Sequence, residues 1–295
     1  MAGLHIPVLL DEVLSYLDPK PGDDVVDATL GGGGHASAFL EAIAPNGRLL
    51  GIEWDARTLE ETRKKLDRYG SRAMLVHGSY RELERLARAC AVPVASAVLF
   101  DLGYSSFQID DPERGFSFRH DGPLDMRYDG AGDLTASDIV NGWAQEDLAR
   151  ILRDYGEERA AGRIADTIVR DRKHFLISST AQLAAIVASA VPERSRRGKP
   201  KIHPATQAFQ AIRIAVNDEL GNMREALPQA VRLLRPGGKL GVISFHSLED
   251  RIVKRFFEEN EELEVLTPKP IMAGEKELEA NPRARSAKLR VAVKR

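Results

Sequence analysis

The chain has 295 residues, 43% of them hydrophobic and 29% charged, with a formal net charge of −2. That is enough chain for one large or two moderate domains, each with a sizeable core. The near-neutral balance excludes a uniformly basic nucleic-acid coat, and the single cysteine, Cys90, excludes an internal disulfide framework. No apolar run is long enough to span a membrane, and the N-terminus lacks a basic segment followed by an apolar core. A cytoplasmic, reducing setting is the expectation.

In chain order, Pro19 and Pro21 end a short helix over 11–17. Strand 1 is expected over 24–28, followed by four glycines, Gly31 to Gly34, and a helix running to Ala44. In that helix Ala36, Phe39, Leu40 and Ile43 fall on one face. Strand, glycine turn and helix together form the first unit of a nucleotide-binding α/β domain, although a glycine motif alone is weakly specific. Strand 2 is expected over 48–53 with a helix over 56–69, strand 3 over 73–77 with a helix to Ala89, and strand 4 over 95–100. Apolar runs alternating with helical patterns argue for a parallel sheet covered on both faces, with ligand groups at the carboxyl edge of the strands.

The alternation then stops. Residues 104–128, rich in Gly, Ser, Asp and Pro, read as a long loop that Phe107, Phe116 and Phe118 would order. Helical spacing follows at Leu148, Ile151, Leu152 and Tyr155, and again at Leu183, Ile186, Val187 and Ala190 after a Thr180 cap. Residues 105–205 are thus expected to form an all-helical insertion, closed by the basic stretch Arg194, Arg196, Arg197, Lys199 and Lys201. Helices over 204–219 and 223–234, a helix-stopping turn at 235–238, strand 5 over 239–245, a helix over 248–259 and a last strand over 289–293 complete the chain.

Glu53 ends strand 2, twenty positions after Gly33, where a carboxylate can accept both hydroxyls of a ribose. The other use of an acid there, capping the next helix, falls to Asp55. Tyr80 follows strand 3, where its ring could cover an adenine or simply pack beneath a loop. Asp101 ends strand 4. Ser244-Phe245-His246-Ser247 ends strand 5, and His246 could take a proton or be satisfied by backbone beside a Ser247 cap. The histidines show no ligand spacing with Cys or carboxylates, so no metal is expected. Gly31-x-Gly33-x-x-Ala36 also satisfies the dinucleotide spacing, which keeps a nicotinamide-dependent oxidoreductase open; a non-catalytic ribosome assembly factor is the third reading.

Longer blocks decide between them. They are His5 to Glu12, the glycines with His35, Asp101 to Ser106, Arg114 to Phe118 with Gly122 to Arg127, His203 to Thr206, Ile214 to Leu220, Ser244 to Arg251, and Asn281 to Arg290. With these the sequence resembles the bacterial 16S ribosomal RNA (cytosine-N4) methyltransferases, the RsmH or MraW family. The resemblance implies a class I (Rossmann-like) methyltransferase sheet, residues 1–104 and 206–295, interrupted by the helical substrate-recognition insertion over 105–205. It implies S-adenosyl-L-methionine as cofactor, contacted by Gly33, Gly34, His35, Glu53, Tyr80, Asp101 and Gln108, with His35 acting through its backbone N–H. Many relatives have Asp where Glu53 stands and Phe where Tyr80 stands; both differences keep the chemistry. The implied substrate is a cytidine in the decoding region of 16S rRNA within the small ribosomal subunit. For RNA contact, Tyr104, Phe107 and Trp143 are candidate stacking rings, and Arg194, Arg196, Arg197, Lys199 and the basic tail from Asn281 are candidate phosphate contacts.

Overall fold

A computed structural model describes residues 7–103, 108, 109, 111–191 and 203–295. By internal contacts the chain divides into two units, one of Met1–Ser105 with Leu220–Arg295, the other of Ser106–Glu219. The second unit extends past 205 to include a helix, Ala205–Asn217, that the sequence reading places in the returning sheet domain.

In the first unit, strands β1 (Asp24–Asp27), β2 (Arg48–Glu53), β3 (Ala73–His77), β4 (Ala95–Asp101), β5 (Leu234–Ser244), β6 (Leu263–Val265) and β7 (Lys288–Lys294) form one sheet in the order β3-β2-β1-β4-β5-β7-β6. Neighbours from β3 to β5 are parallel, whereas β7 runs antiparallel to both β5 and β6. Helices α1 (Leu10–Leu17), α2 (Gly34–Ala42), α3 (Ala56–Leu66) and α4 (Leu83–Ala89) accompany the first four strands.

Successive strand residues point to opposite faces, and here both faces are buried. Val25, Leu49, Ala97, Leu99 and Ile243 join one apolar cluster with Leu17 of α1, Phe39 and Leu40 of α2 and Leu66 of α3. The alternate residues Val26, Leu50, Val98, Phe100 and Val242 are equally buried on the other side. That double burial is why these strands read as unbroken apolar runs in the sequence.

β5 is longer than its sequence pattern. Ala95 pairs with Leu234 but Ala97 with Lys239, so Arg235-Pro236-Gly237-Gly238, expected as a turn between elements, is an irregularity inside the strand. Gly237 takes φ +75° there.

The second unit contains α5 (Ala136–Gly142), α6 (Gln145–Asp154), α7 (Ala161–Asp171), α8 (Thr180–Ala190) and α9 (Ala205–Asn217). α6 packs on α7 and α7 on α8, while α9 lies against α5, α6 and α8. The cap of α8 is Ser179 and not Thr180: the Ser179 side chain accepts from Gln182 N–H and the Gln182 side chain accepts in return. Residues 111–128 are ordered by their aromatics as the sequence suggested, with Phe116 stacked on Tyr128 at 5.4 Å and Phe118 edge-on to Phe209 at 4.9 Å. A buried polar network then closes the unit. Arg213 makes a two-pronged pair with Glu219 at 2.8 and 2.9 Å, and Asn217 accepts from Tyr128 N–H and donates to Met126 O.

The first unit resumes within α10 (Glu219–Leu233), from Leu220 on, and continues with α11 (Ser247–Glu259) and α12 (Glu275–Ala280). No helix among the described residues is long and apolar enough to cross a membrane.

Candidate active site

The strand order reverses between β1 and β4: the chain moves outward through β2 and β3, then returns to lay β4 on the other side of β1. Crevices at such reversals, beyond the carboxyl ends of the strands, are where open α/β sheets bind ligands. The register fixes what stands there. Asp27 is level with Gly51 on one side and Leu99 on the other. Glu53 and Asp101 therefore both project two residues beyond the end of β1, on the same rim, about 10 Å apart across two strand spacings. The notch between them is filled by the glycine turn.

The turn is tied down at each step. Ala28 N–H donates to Leu99 O at 2.9 Å, Leu30 N–H to Ile52 O at 2.8 Å, and Asp101 N–H to Thr29 Oγ1 at 2.6 Å. On the side of α3, Thr62 Oγ1 donates to Gly31 O at 2.6 Å and Lys65 Nζ to Gly32 O at 2.7 Å. Gly33 caps α2 at φ +68° and, as a glycine, brings no capping side chain of its own. A Cβ on Gly33 would lie 2.8 Å from Thr62 Cγ2, and one on Gly34 2.9 Å from Pro7 Cβ, so close packing as well as φ demands glycine here. The first turn of a helix behind a glycine turn suits an anionic group such as a carboxylate.

Glu53 uses both oxygens: Oε2 accepts from Gly31 N–H and Oε1 from Asp55 N–H, each at 2.8 Å. Burial pushes its carboxyl up to about 7, against the lowering effect of those two amides. Asp27 is likewise pushed up to about 7 by burial. Asp101 is raised well above the usual carboxylate range, first by burial and then by the nearby charges of Asp27 and Glu249. Its Oδ1 is buried with no hydrogen-bond partner among the described residues. Buried carboxyls of this kind, one with an unmatched oxygen, fit a ligand that brings hydroxyls and positive charge.

His35 has a role that the sequence did not show. Its ring is buried, and Nε2 lies 2.9 Å from Val8 O. A carbonyl only accepts, so Nε2 carries the hydrogen, and Nδ1 faces Asp101 Oδ2 at 3.6 Å. The side chain, and not only the backbone, thus belongs to the edge. Tyr80 begins a 3-10 turn after β3, which carries its ring back to the tip of β4, edge-on to Phe100 at 5.7 Å. Gln108 is buried in the second unit. Tyr104, Phe107, Arg194, Arg196, Arg197 and Lys199 lie outside the described residues. Trp143 is half-buried just past α5.

His246 caps α11 itself, the place that one of the two sequence readings gave to Ser247. Its Nδ1 accepts from Glu249 N–H at 3.4 Å, and Glu249 Oε2 accepts from Phe245 and His246 N–H at 2.8 and 3.2 Å. Nε2 is 3.3 Å from Glu249 Oε1 but poorly aligned for a hydrogen bond. Nδ1 thus serves the helix cap, while Nε2 is buried with no hydrogen-bond partner among the described residues. Glu249, buried near Asp101, was not singled out from sequence; His246 followed three residues later by Glu249 is the spacing of a capping box and was the available signal.

The basic tail is mostly engaged in the fold. Arg290 and Lys288 pair with Asp250 at 2.7 and 3.2 Å, and Lys294 Nζ donates to Val231 O and Leu234 O. Arg283 and Arg285 remain exposed.

A sheet of this order, with β7 reversed and a glycine turn flanked by strand-tip carboxylates, defines a class I methyltransferase. The chain belongs to the MraW methylase family, whose description matches residues 2–295. It is 47% identical to ribosomal RNA small subunit methyltransferase H of Geobacter sulfurreducens, over all of both chains, and 46% identical to that of Symbiobacterium thermophilum, over 100% of this chain and 98% of the relative. The namesake from Thermomicrobium roseum is 47% identical over 99% of this chain and 94% of its own length.

Proposed function

We propose that this protein transfers a methyl group from S-adenosyl-L-methionine to the exocyclic N4 of a cytidine in the decoding region of 16S rRNA, acting on the small ribosomal subunit in the cytoplasm. The observation that carries this is the shared rim of Glu53 and Asp101 around the glycine turn, in a chain nearly half identical to proteins named for small-subunit rRNA methylation. The cofactor, when bound, supplies a methyl group on a positively charged sulfur.

The chain's own residues bind and orient. Glu53 accepts the two ribose hydroxyls and Tyr80 covers the adenine. The amides behind Gly33 and Gly34 receive the amino-acid carboxylate, and Asp101 Oδ1 accepts a hydrogen from the cationic end. Gln108 is read as a further cofactor contact on the sequence resemblance alone. The cytidine amine is a poor nucleophile because its lone pair is delocalised into the ring, so catalysis here is chiefly alignment, with hydrogens accepted as the nitrogen pyramidalises. The acceptor is a backbone carbonyl near Leu102–Tyr104, a nearby side chain, or both; at this strand end Leu102 N–H donates to Ile243 O at 3.0 Å and Gly103 takes φ +115°.

Calorimetry tests the cofactor half of the reading. S-adenosylmethionine binds the wild-type protein, NAD does not, and Glu53→Ala abolishes binding. Arg196→Ala with Arg197→Ala leaves cofactor affinity intact and weakens engagement of the small subunit. Binding of NAD in place of S-adenosylmethionine contradicts the proposal.

A further inference from the structure

We propose that the loop between α7 and α8, tipped by Phe175 and Leu176, is a platform on which an unpaired base of the substrate RNA stacks while Lys173 and His174 meet its phosphate. This deepens the RNA-methyltransferase reading, on which it rests, by naming a surface of the second unit that touches the substrate.

Phe175 is 47% exposed and Leu176 67% exposed. Single exposed apolar side chains are ordinary. Two consecutive ones, one of them aromatic and directly preceded by an exposed lysine and an exposed histidine, are not. Nor is the loop slack. Arg172 Nη1 donates to Val140 O at 2.9 Å, and Phe175 N–H donates to Asp171 O at 3.3 Å. Behind the tip, Ile177 is fully buried, its N–H held by Asn141 Oδ1 at 3.1 Å and its carbonyl by Asn141 Nδ2 at 2.9 Å. A ring held out into water on a pinned loop loses little conformational freedom when a ligand covers it.

Charge selects the ligand. Residues 170–173 hold three cations, Arg170, Arg172 and Lys173, and one acid, Asp171, which Arg170 pairs at 2.9 Å. A flat apolar face beside positive charge matches the two chemistries of one nucleotide, the base and the phosphate, and RNA readers use unstacked bases in this way.

The test uses the full chain and small subunits from cells lacking the methyl group, with methyl transfer as the readout. Phe175→Ala with Leu176→Ala raises the KM for subunits about tenfold, the order expected when one base loses its aromatic partner. Melting temperature and S-adenosylmethionine affinity stay as in wild type. Phe175→Trp restores the KM, and Phe175→Leu, which keeps apolar area without a ring, does not. A photo-reactive phenylalanine analogue at 175 crosslinks to rRNA. An unchanged KM in the double variant, full rescue by leucine, or a crosslink to a ribosomal protein overturns the platform while leaving the methyltransferase reading intact. Failure of the wild-type protein to methylate subunits removes both.

Discussion

Glu53 carries two duties, holding the glycine turn through Gly31 N–H and Asp55 N–H and offering its oxygens to a ribose. Its carboxyl sits at about 7, above the ordinary carboxylate range, because it is buried. The sign follows. A raised carboxyl contributes stability that is complete below the ordinary carboxylate range and is lost as pH rises to about 7, so ionised Glu53 weakens the ligand-free fold. Ionised Glu53 is also the form that accepts two hydroxyls. S-adenosylmethionine affinity therefore rises with pH up to about 7 and levels above it, and Glu53→Gln flattens this part of the profile, as calorimetry at several pH values will show. At His246 the two roles separate by substitution. His246→Ala removes a helix cap and costs about 1 kcal/mol of stability. His246→Asn keeps a good capping side chain without an imidazole, and is expected to restore both stability and single-turnover rate; a restored melting temperature with a lost rate makes the histidine chemical. Glu53 and Asp101 were legible because each ends an apolar run. The ring contacts of His35 were not, since Val8, His35 and Asp101 are distant in sequence and only the fold joins them.

At the scale of elements, the β1–α2 turn is the most constrained piece. Gly33→Ala places a side chain at φ +68° and 2.8 Å from Thr62 Cγ2. The change is expected to destabilise by about 1–3 kcal/mol and to reduce cofactor affinity. Gly70→Ala is the control: φ +56° with open space around it, distant from the strand tips, so it loses stability without loss of binding. Denaturant melts and calorimetry on the two variants check the contrast. Strands β2 and β3 fell where their apolar runs placed them, because tips and turns bounded them. The Arg235–Gly238 segment misled: proline and two glycines usually punctuate elements, yet here they bulge within β5 opposite Ser96. β6, three residues long, has no period to read and exists through its pairing with β7.

For the molecule as a whole, each unit has its own core, and the chain leaves the sheet after β4 and re-enters it through α10. The α/β alternation, its interruption and its return were visible in hydrophobic periodicity. The second unit's limit at Glu219 was not, because the Arg213–Glu219 pair and the Asn217 contacts that tie α9 to residues 126–128 are side-chain pairings with no periodic signature. What the molecule does is decided by where the methyl group arrives. Small subunits from cells lacking the activity, incubated with the protein and isotope-labelled S-adenosylmethionine, can be digested and the modified nucleotide located by mass spectrometry. One labelled methyl group on N4 of a single decoding-region cytidine is the predicted result; label on a ribose, on ring carbon, at scattered positions or nowhere contradicts it.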